Sequence, residues 1–259
     1  RREALRSYLK ERLSGGGSAE VLLGSAVRPS TKLMQVAADE VRDREQFILL
    51  GDQQLAVDMI RHEVHRAGTK KRVIVVSGGP GSGKSAIALS ALGELAREGK
   101  TVLHATGSRS FTQTMRKVAG HRSRDTQSLF KYFNSFTKAL PDEIDVLIAD
   151  EAHRIRQTSN NRFTRAADRS DRLQIDELIS AARVPVFLLD DHQVVRKGEL
   201  GSVREIEAFA RAQGLEVVRI ELDEQFRCGG SAAYVDWVEQ ILGLNDGVPF
   251  EAALPDDDP

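Results

Sequence analysis

The chain has 259 residues, of which 41% are hydrophobic and 29% charged, and this composition is that of an ordinary globular protein with one large domain or a medium domain with appendages. One cysteine, Cys228, excludes an internal disulfide scaffold, and no apolar run approaches the roughly 18 residues of a membrane span. The net charge of −1 excludes a global attraction for nucleic acid, and we expect a cytoplasmic protein that has no contact with a membrane.

Helical patterns dominate the first part of the chain. Leucines at a four-residue spacing predict a helix over residues 3–13, and a Gly/Ser-rich linker then closes a first unit at residues 1–18. One further helical pattern follows Pro29 and another begins near Asp52. We therefore predict a helical segment over residues 19–70.

From residue 71 onward, short apolar runs alternate with helical patterns. Continuous runs of Val, Ile and Leu are typical of strands that are buried on both faces of a parallel sheet. The runs cover residues 73–77, 101–106, 145–150, 184–190 and 216–220, with helical patterns over 84–97, 111–119, 171–182 and 202–213. This alternation predicts an α/β domain over residues 71–259, with a doubly wound, mostly parallel sheet and helices on both faces.

A phosphate-binding motif follows the first apolar run. Residues 78–85 read GGPGSGKS and match G-x-x-x-x-G-K-[ST] in full, between a predicted strand and a predicted helix. Glycines let backbone N–H groups approach phosphate oxygens, and the helix N-terminus adds a positive dipole end. We predict that ATP is bound by Gly79, Pro80, Gly81, Ser82, Gly83, Lys84 and Ser85, with Lys84 on the β and γ phosphates and Ser85 on Mg²⁺. The alternative is a glycine-rich turn that binds nothing.

An acidic pair follows the third apolar run. At the carboxyl end of a parallel strand beside a phosphate loop, Asp150 can hold the Mg²⁺ shell and Glu151 can act as the general base toward water. An exposed turn with incidental acids is the alternative. We predict no chemistry for His153, and we expect Arg154 and Arg156 to be solvated or to face a phosphate.

The order of these motifs resembles a superfamily 1 helicase ATPase core, and more narrowly the Schlafen group 3-like DNA/RNA helicase family of RecA-like P-loop domains. The resemblance rests on PSTKL (29–33), FILLGDQQ (47–54), GGPGSGKS (78–85), ATGSRSFT (105–112), DEAHRI (150–155), FLLDDHQVVR (187–196) and LDEQFRCGGSAAYVDW (222–237).

The resemblance implies three further roles. Gln54 is similar to the glutamine that contacts the adenine edge, although Gln53 beside it leaves the register open. Gln193 resembles the glutamine that senses the γ phosphate and couples it to nucleic acid. Arg227 resembles the arginine that neutralises charge on the γ phosphate, and we group it with Lys84, Glu151 and Gln193 as catalytic.

Single-stranded DNA or RNA is the partner that the resemblance implies. Thr106, Ser108 and Arg109 follow a predicted strand where superfamily 1 proteins contact a nucleic-acid backbone, and a cluster of basic residues follows them. A solvated basic face is the alternative. Phe130, Phe133 and Phe136 predict a core helix rather than a base-stacking surface.

A translocating motor of this superfamily needs a second RecA-like domain, whereas the chain ends about 30 residues after Arg227. We therefore expect further domains, in a longer chain or in a partner protein. Two other functions remain open: a nucleotide-dependent switch or scaffold in defence or regulation, and a small-molecule kinase.

Overall fold

The structure is a computed structural model, and it describes residues 49, 51–118, 124–160, 164–166, 169–190, 193 and 199–222. The predicted helix over residues 3–13, the helical pattern after Pro29 and the predicted arginine Arg227 lie outside the described residues.

Helices and strands alternate through the described part. The helices are α1 (Gly51–Ala67), α2 (Lys84–Arg97), α3 (Arg109–Val118), α4 (Arg124–Ser128), α5 (Gln174–Ala181) and α6 (Val203–Ala212). The strands are β1 (Arg72–Gly78), β2 (Val102–Thr106), β3 (Phe130–Tyr132), β4 (Ile144–Asp150), β5 (Ala182–Leu189) and β6 (Glu216–Leu222). None of the described helices has the length and apolar character that crossing a bilayer requires.

The strands form one sheet in the order β3-β2-β4-β5-β1-β6, and every neighbouring pair is parallel. From β1 the chain moves toward β2 and β3, whereas the later crossovers move the opposite way, toward β5 and β6. Because parallel crossovers are right-handed, α2 and α3 cover one face and α5 and α6 the other. The predicted doubly wound α/β fold class is confirmed.

The apolar runs are buried as the sequence predicts. The residues of β1 from Val73 to Val76 have no exposed surface, and β4 and β5 are buried apart from Asp145 and Arg183 near their starts. Arg72 at the start of β1 forms ion pairs with Glu63 on α1 and Glu216 on β6. Because every neighbouring pair of strands is parallel, all six strands have their carboxyl ends at one edge of the sheet. Gly78, Thr106 and Asp150 end β1, β2 and β4 at this edge.

One predicted core helix is wrong. Phe130 lies in the short edge strand β3, in register with His104 of β2, and residues Phe133–Phe136 form a 3₁₀ turn. Phe130, Phe133 and Phe136 are buried as expected. Their three-residue spacing suits a 3₁₀ turn, which has three residues per turn, as well as it suits one side of an α-helix.

Candidate nucleotide site

The loop between β1 and α2 has backbone angles that require glycine. Gly81 has a φ of 93° and Gly83 a φ of 83°, in the left-handed region that other residues adopt at a cost. At Gly83 a Cβ atom would also lie 2.2 Å from Gln53 Nε2. These glycines let the loop turn tightly, so that α2 begins at Lys84. The N-terminus of α2 therefore faces the carboxyl edge of the sheet.

Lys84 is half-buried and folds over its own loop. Its Nζ atom donates hydrogen bonds to the carbonyl oxygens of Gly78 and Gly79, both at 2.7 Å, and to Ser82 Oγ at 3.1 Å. The ammonium group is therefore held over the loop, at the positive end of the helix dipole.

Asp150, the last residue of β4, is a buried carboxylate. Burial favours the neutral acid, but the adjacent His104, the Ser85 hydroxyl and the backbone N–H of Glu151 favour the anion more strongly, so the pKa of Asp150 is lowered. His104 Nε2 lies 3.6 Å from Asp150 Oδ2. The carboxylate is thus kept charged beside the first turn of α2.

Glu151 follows in a left-handed conformation, with a φ of 53°, which is uncommon for a residue with a side chain. Burial and the charge of Asp150 raise the pKa of Glu151, although Arg154 opposes the shift. Arg154 Nε lies 3.0 Å from Glu151 Oε2. A carboxylate with a raised pKa suits a proton acceptor.

The predicted nucleotide residues meet in one pocket of about 280 Å³. It is lined by Pro80, Gly81, Gly83, Lys84, Ser85, Ala86, Asp150, Glu151, His153 and Gln193. Gln193 lies in the segment after β5, and its backbone N–H donates a hydrogen bond to Asp190 O at 3.2 Å. Of the other predicted loop residues, Ser82 is buried beneath the loop, and Gly79 contributes its carbonyl to Lys84.

The pocket fits a magnesium ion. Asp150 Oδ2 is buried and accepts no hydrogen bond within the described part of the chain. The Ser85 hydroxyl lies beside the same carboxylate. Carboxylate and hydroxyl oxygens are hard donors, which Mg²⁺ prefers. Asp150 and Ser85 would therefore hold the ion.

The structure places Gln53, rather than Gln54, against the phosphate loop. Gln53 is buried and its Nε2 donates to Ser82 O at 3.2 Å, whereas Gln54 is exposed and donates to Asp58 one turn further along α1. Adjacent helix residues point about 100° apart, so only one of them can face the loop. Of the two glutamines that the register left open, Gln53 is therefore the one that contacts the phosphate loop, and the adenine contact of Gln54 stays a prediction.

A second, larger pocket of about 490 Å³ lies beyond the ends of β2 and β3. It is lined by Thr106, Gly107, Arg109, Gln113, Tyr132, Phe133, Asn134, Arg154, Arg156, Thr158, Ser159 and Gln174. Three of these residues are arginines, and no acidic residue is among those described in its wall. We call it the arginine pocket.

Two of the three predicted nucleic-acid residues line the arginine pocket. Thr106 ends β2, and Arg109 begins α3 with an exposed side chain. Ser108 is not among the lining residues. It is buried and caps α3, because its Oγ accepts a hydrogen bond from the backbone N–H of Phe111 at 3.3 Å.

His104 was not among the predicted site residues. His153 was predicted to take no part in the chemistry, and Arg154 to be solvated or to face a phosphate. His104 lies inside an apolar strand run, and a histidine there gives no spacing signal; only the sheet brings it to Asp150. His153 lines the nucleotide pocket, and burial followed by the charge of Arg154 lowers its pKa. Arg154 lines the arginine pocket and contacts Glu151.

Comparison with protein families places these motifs in a known group. The model of the Schlafen group 3 DNA/RNA helicase domain matches residues 71–256, well over half of the chain. The chain belongs to this family. No curated protein matches the chain with significance. The family match agrees with the resemblance that the motifs indicated.

The solved structures that the chain matches include two with a bound nucleotide analogue. AMPPCP-bound DnaA from Aquifex aeolicus is 18% identical, with a TM-score of 0.36 over 80% of this chain and 56% of its own. Pif1 from Bacteroides sp. in complex with ADP-AlF4 is 17% identical, with a TM-score of 0.40 over 75% of this chain and 46% of its own. This Schlafen-family chain thus spans about half the length of either structure.

Proposed function

We propose that this Schlafen-family domain hydrolyses ATP with Mg²⁺ and that single-stranded nucleic acid stimulates the reaction. One observation carries the proposal: Lys84, Ser85, Asp150, Glu151 and Gln193, from three separate segments, line the same pocket at the carboxyl edge of the sheet. Ligands of open α/β sheets bind at this edge, where the strand order reverses.

The residues divide the chemistry between them. Lys84 and the loop N–H groups neutralise the β and γ phosphates, and Glu151 accepts the proton of the water that attacks the γ phosphorus. Magnesium, which Asp150 and Ser85 would hold, would supply positive charge to stabilise the phosphates. Gln193 contacts the γ phosphate, and Arg227 remains the predicted arginine for its developing charge.

Paired substitutions of the two adjacent glutamines test which of them contributes to ATP binding. We expect Gln53→Ala to weaken ATP binding about fivefold and to cost about 1 kcal/mol of folding free energy, because the Ser82 carbonyl loses a buried donor. Gln54→Ala is the control, since that side chain is exposed. Titration of a fluorescent ATP analogue measures the affinity, and thermal unfolding measures the stability. A loss confined to Gln54→Ala would return the role to Gln54.

Nucleic-acid binding is proposed for the arginine pocket, because three arginines line it and guanidinium groups bind phosphates well. We expect ATP hydrolysis to rise when oligothymidylate or oligouridylate is added. Arg109→Ala should weaken oligonucleotide binding and reduce the log–log slope of affinity against salt by about 0.7, the value for one lost phosphate contact on a single strand.

Arg204→Ala is the matched control, because Arg204 is also exposed in the first turn of a helix but lines neither pocket. Fluorescence anisotropy at several salt concentrations gives the slope. ATP hydrolysis that ignores both oligonucleotides would favour the nucleotide-dependent switch instead.

A further inference from the structure

Arg154 is the one described arginine of the arginine pocket that also contacts the nucleotide site. Its Nε atom lies 3.0 Å from Glu151 Oε2, and Glu151 lines the nucleotide pocket. About a third of each side chain is exposed, 34% for Arg154 and 29% for Glu151. The pair therefore forms the wall between the two pockets, and each partner can reach a ligand in its own pocket.

The Glu151 carboxylate cannot pair fully with Arg154 and accept a proton from water at the same time. The Arg154 guanidinium attracts one oxygen of the Glu151 carboxylate, and the same carboxylate is the proposed proton acceptor for water. Glu151 Oε2 is buried and accepts no hydrogen bond within the described part of the chain, so the ion pair with Arg154 is what holds this oxygen away from solvent. Loss of the pair would free the carboxylate to turn toward the γ phosphate.

Arg154 is held where a ligand would reach it. Its Cβ atom packs beside Gly107, where an added Cβ would lie 2.7 Å away, and Gly107 joins β2 to α3 next to Thr106 and Arg109. A phosphate in the arginine pocket would thus meet Arg154 and the β2–α3 connection together. Guanidinium groups bind phosphate through two N–H donors, which makes phosphate a strong competitor for the pair with Glu151.

We propose that Arg154 is a positioning residue that restrains Glu151 until the phosphate backbone of a single strand takes up its guanidinium. Nucleic acid then stimulates hydrolysis by releasing the base. This inference rests on the proposed function, because it assumes that Glu151 is the base and that the arginine pocket binds a nucleic-acid backbone.

Coupling between two sites is reciprocal, so the pair can be tested by binding alone. In the 259-residue chain without nucleotide, Glu151→Gln should tighten the binding of labelled oligothymidylate about fivefold, because Arg154 is released to the phosphates. The tightening should vanish in the Arg154→Ala background. A general charge effect of losing Glu151 would persist in that background, so the double-mutant cycle separates the two causes.

Hydrolysis gives the second readout. Arg154→Ala should raise the rate of phosphate release without oligonucleotide about fivefold, with an unchanged KM for ATP, and should bring the stimulation ratio close to one. Arg154→Lys keeps the positive charge and should restore much of the restraint. Arg211→Ala is the control, because Arg211 pairs with Glu207 on α6 and lines neither pocket; it should change nothing.

The outcomes separate this inference from the proposed function. If the wild-type chain is stimulated by oligonucleotide but the binding cycle is additive and Arg154→Ala keeps the wild-type ratio, the restraint is wrong and the ATPase stands. If the wild-type chain binds no oligonucleotide, the arginine pocket and the restraint both fail. If it binds oligonucleotide with a non-additive cycle but releases no phosphate, the contact between the sites stands and the ATPase fails.

Discussion

Lys84→Ala is expected to lower the affinity for ATP at least about a hundredfold, which corresponds to about 2.7 kcal/mol. Lys84 Nζ is held over the phosphate loop by the carbonyl oxygens of Gly78 and Gly79, at the N-terminus of α2. A charged donor at this position is worth far more to a triphosphate than a neutral one, because the pocket is partly shielded from water. Titration with a fluorescent ATP analogue at saturating magnesium measures the loss.

Lys70→Ala is the control for this variant. Lys70 is exposed and precedes β1, at the edge of the sheet opposite the pocket, so its removal should leave ATP affinity unchanged. The thermal unfolding temperature of Lys70→Ala should match the wild type, whereas Lys84→Ala should unfold at a slightly lower temperature, because the loop loses the hydrogen bonds from Lys84 Nζ while the apolar core remains intact. Undiminished ATP binding by Lys84→Ala would exclude residues 78–85 as the phosphate site.

Glu151→Gln is expected to bind ATP with the wild-type affinity or better and to lose hydrolysis by at least about a hundredfold. Glutamine has nearly the same shape as glutamate but accepts no proton near neutral pH, so the variant removes the base and leaves the pocket. The raised pKa of Glu151, which burial and Asp150 produce, fits a group that takes a proton from water. Phosphate release in single-turnover experiments separates this loss from weakened binding.

Glu207→Gln provides the comparison for Glu151→Gln. Glu207 is also paired with an arginine, Arg211, one turn away on α6, but it lines neither pocket. Its hydrolysis rate should equal that of the wild type. A Glu151→Gln variant that turns over ATP at the wild-type rate would show that another group accepts the proton, and Asp190, buried at the end of β5, would be the next residue to examine.

The order and type of elements in the sheet domain could be predicted because each strand is buried on both faces. Such strands read as nearly continuous apolar runs, and the central residues of β1, β4 and β5 form such runs, with charged residues only near the strand ends. The edge strand β3 was missed because three residues are too few for a pattern. Its pairing with β2 is a long-range contact that no local signal reports.

The registers of single side chains were harder to predict. Gln53 and Gln54 are equal in type and adjacent in sequence, and only the packing of α1 on the phosphate loop decides which of them faces Gly83. Ser108 was predicted as a nucleic-acid residue because of its place after β2, but its hydroxyl is used to cap α3. The partner of Gln53, the Ser82 carbonyl, is distant in sequence, and the partner of Ser108, the Phe111 N–H, is available only once α3 has formed.

The glycine-rich loop, the acidic pair and the α/β fold class can be predicted from local pattern alone, because they depend on glycine conformation, on residue type at a strand end and on unbroken apolar runs. Which distant groups share a pocket depends instead on how the strands and helices pack. His104 reaches Asp150 through the pairing of β2 with β4. Arg154 comes to lie between the two pockets because the turn after β4 packs beside Gly107. These contacts are set by strand order and packing, which join residues that the chain keeps apart.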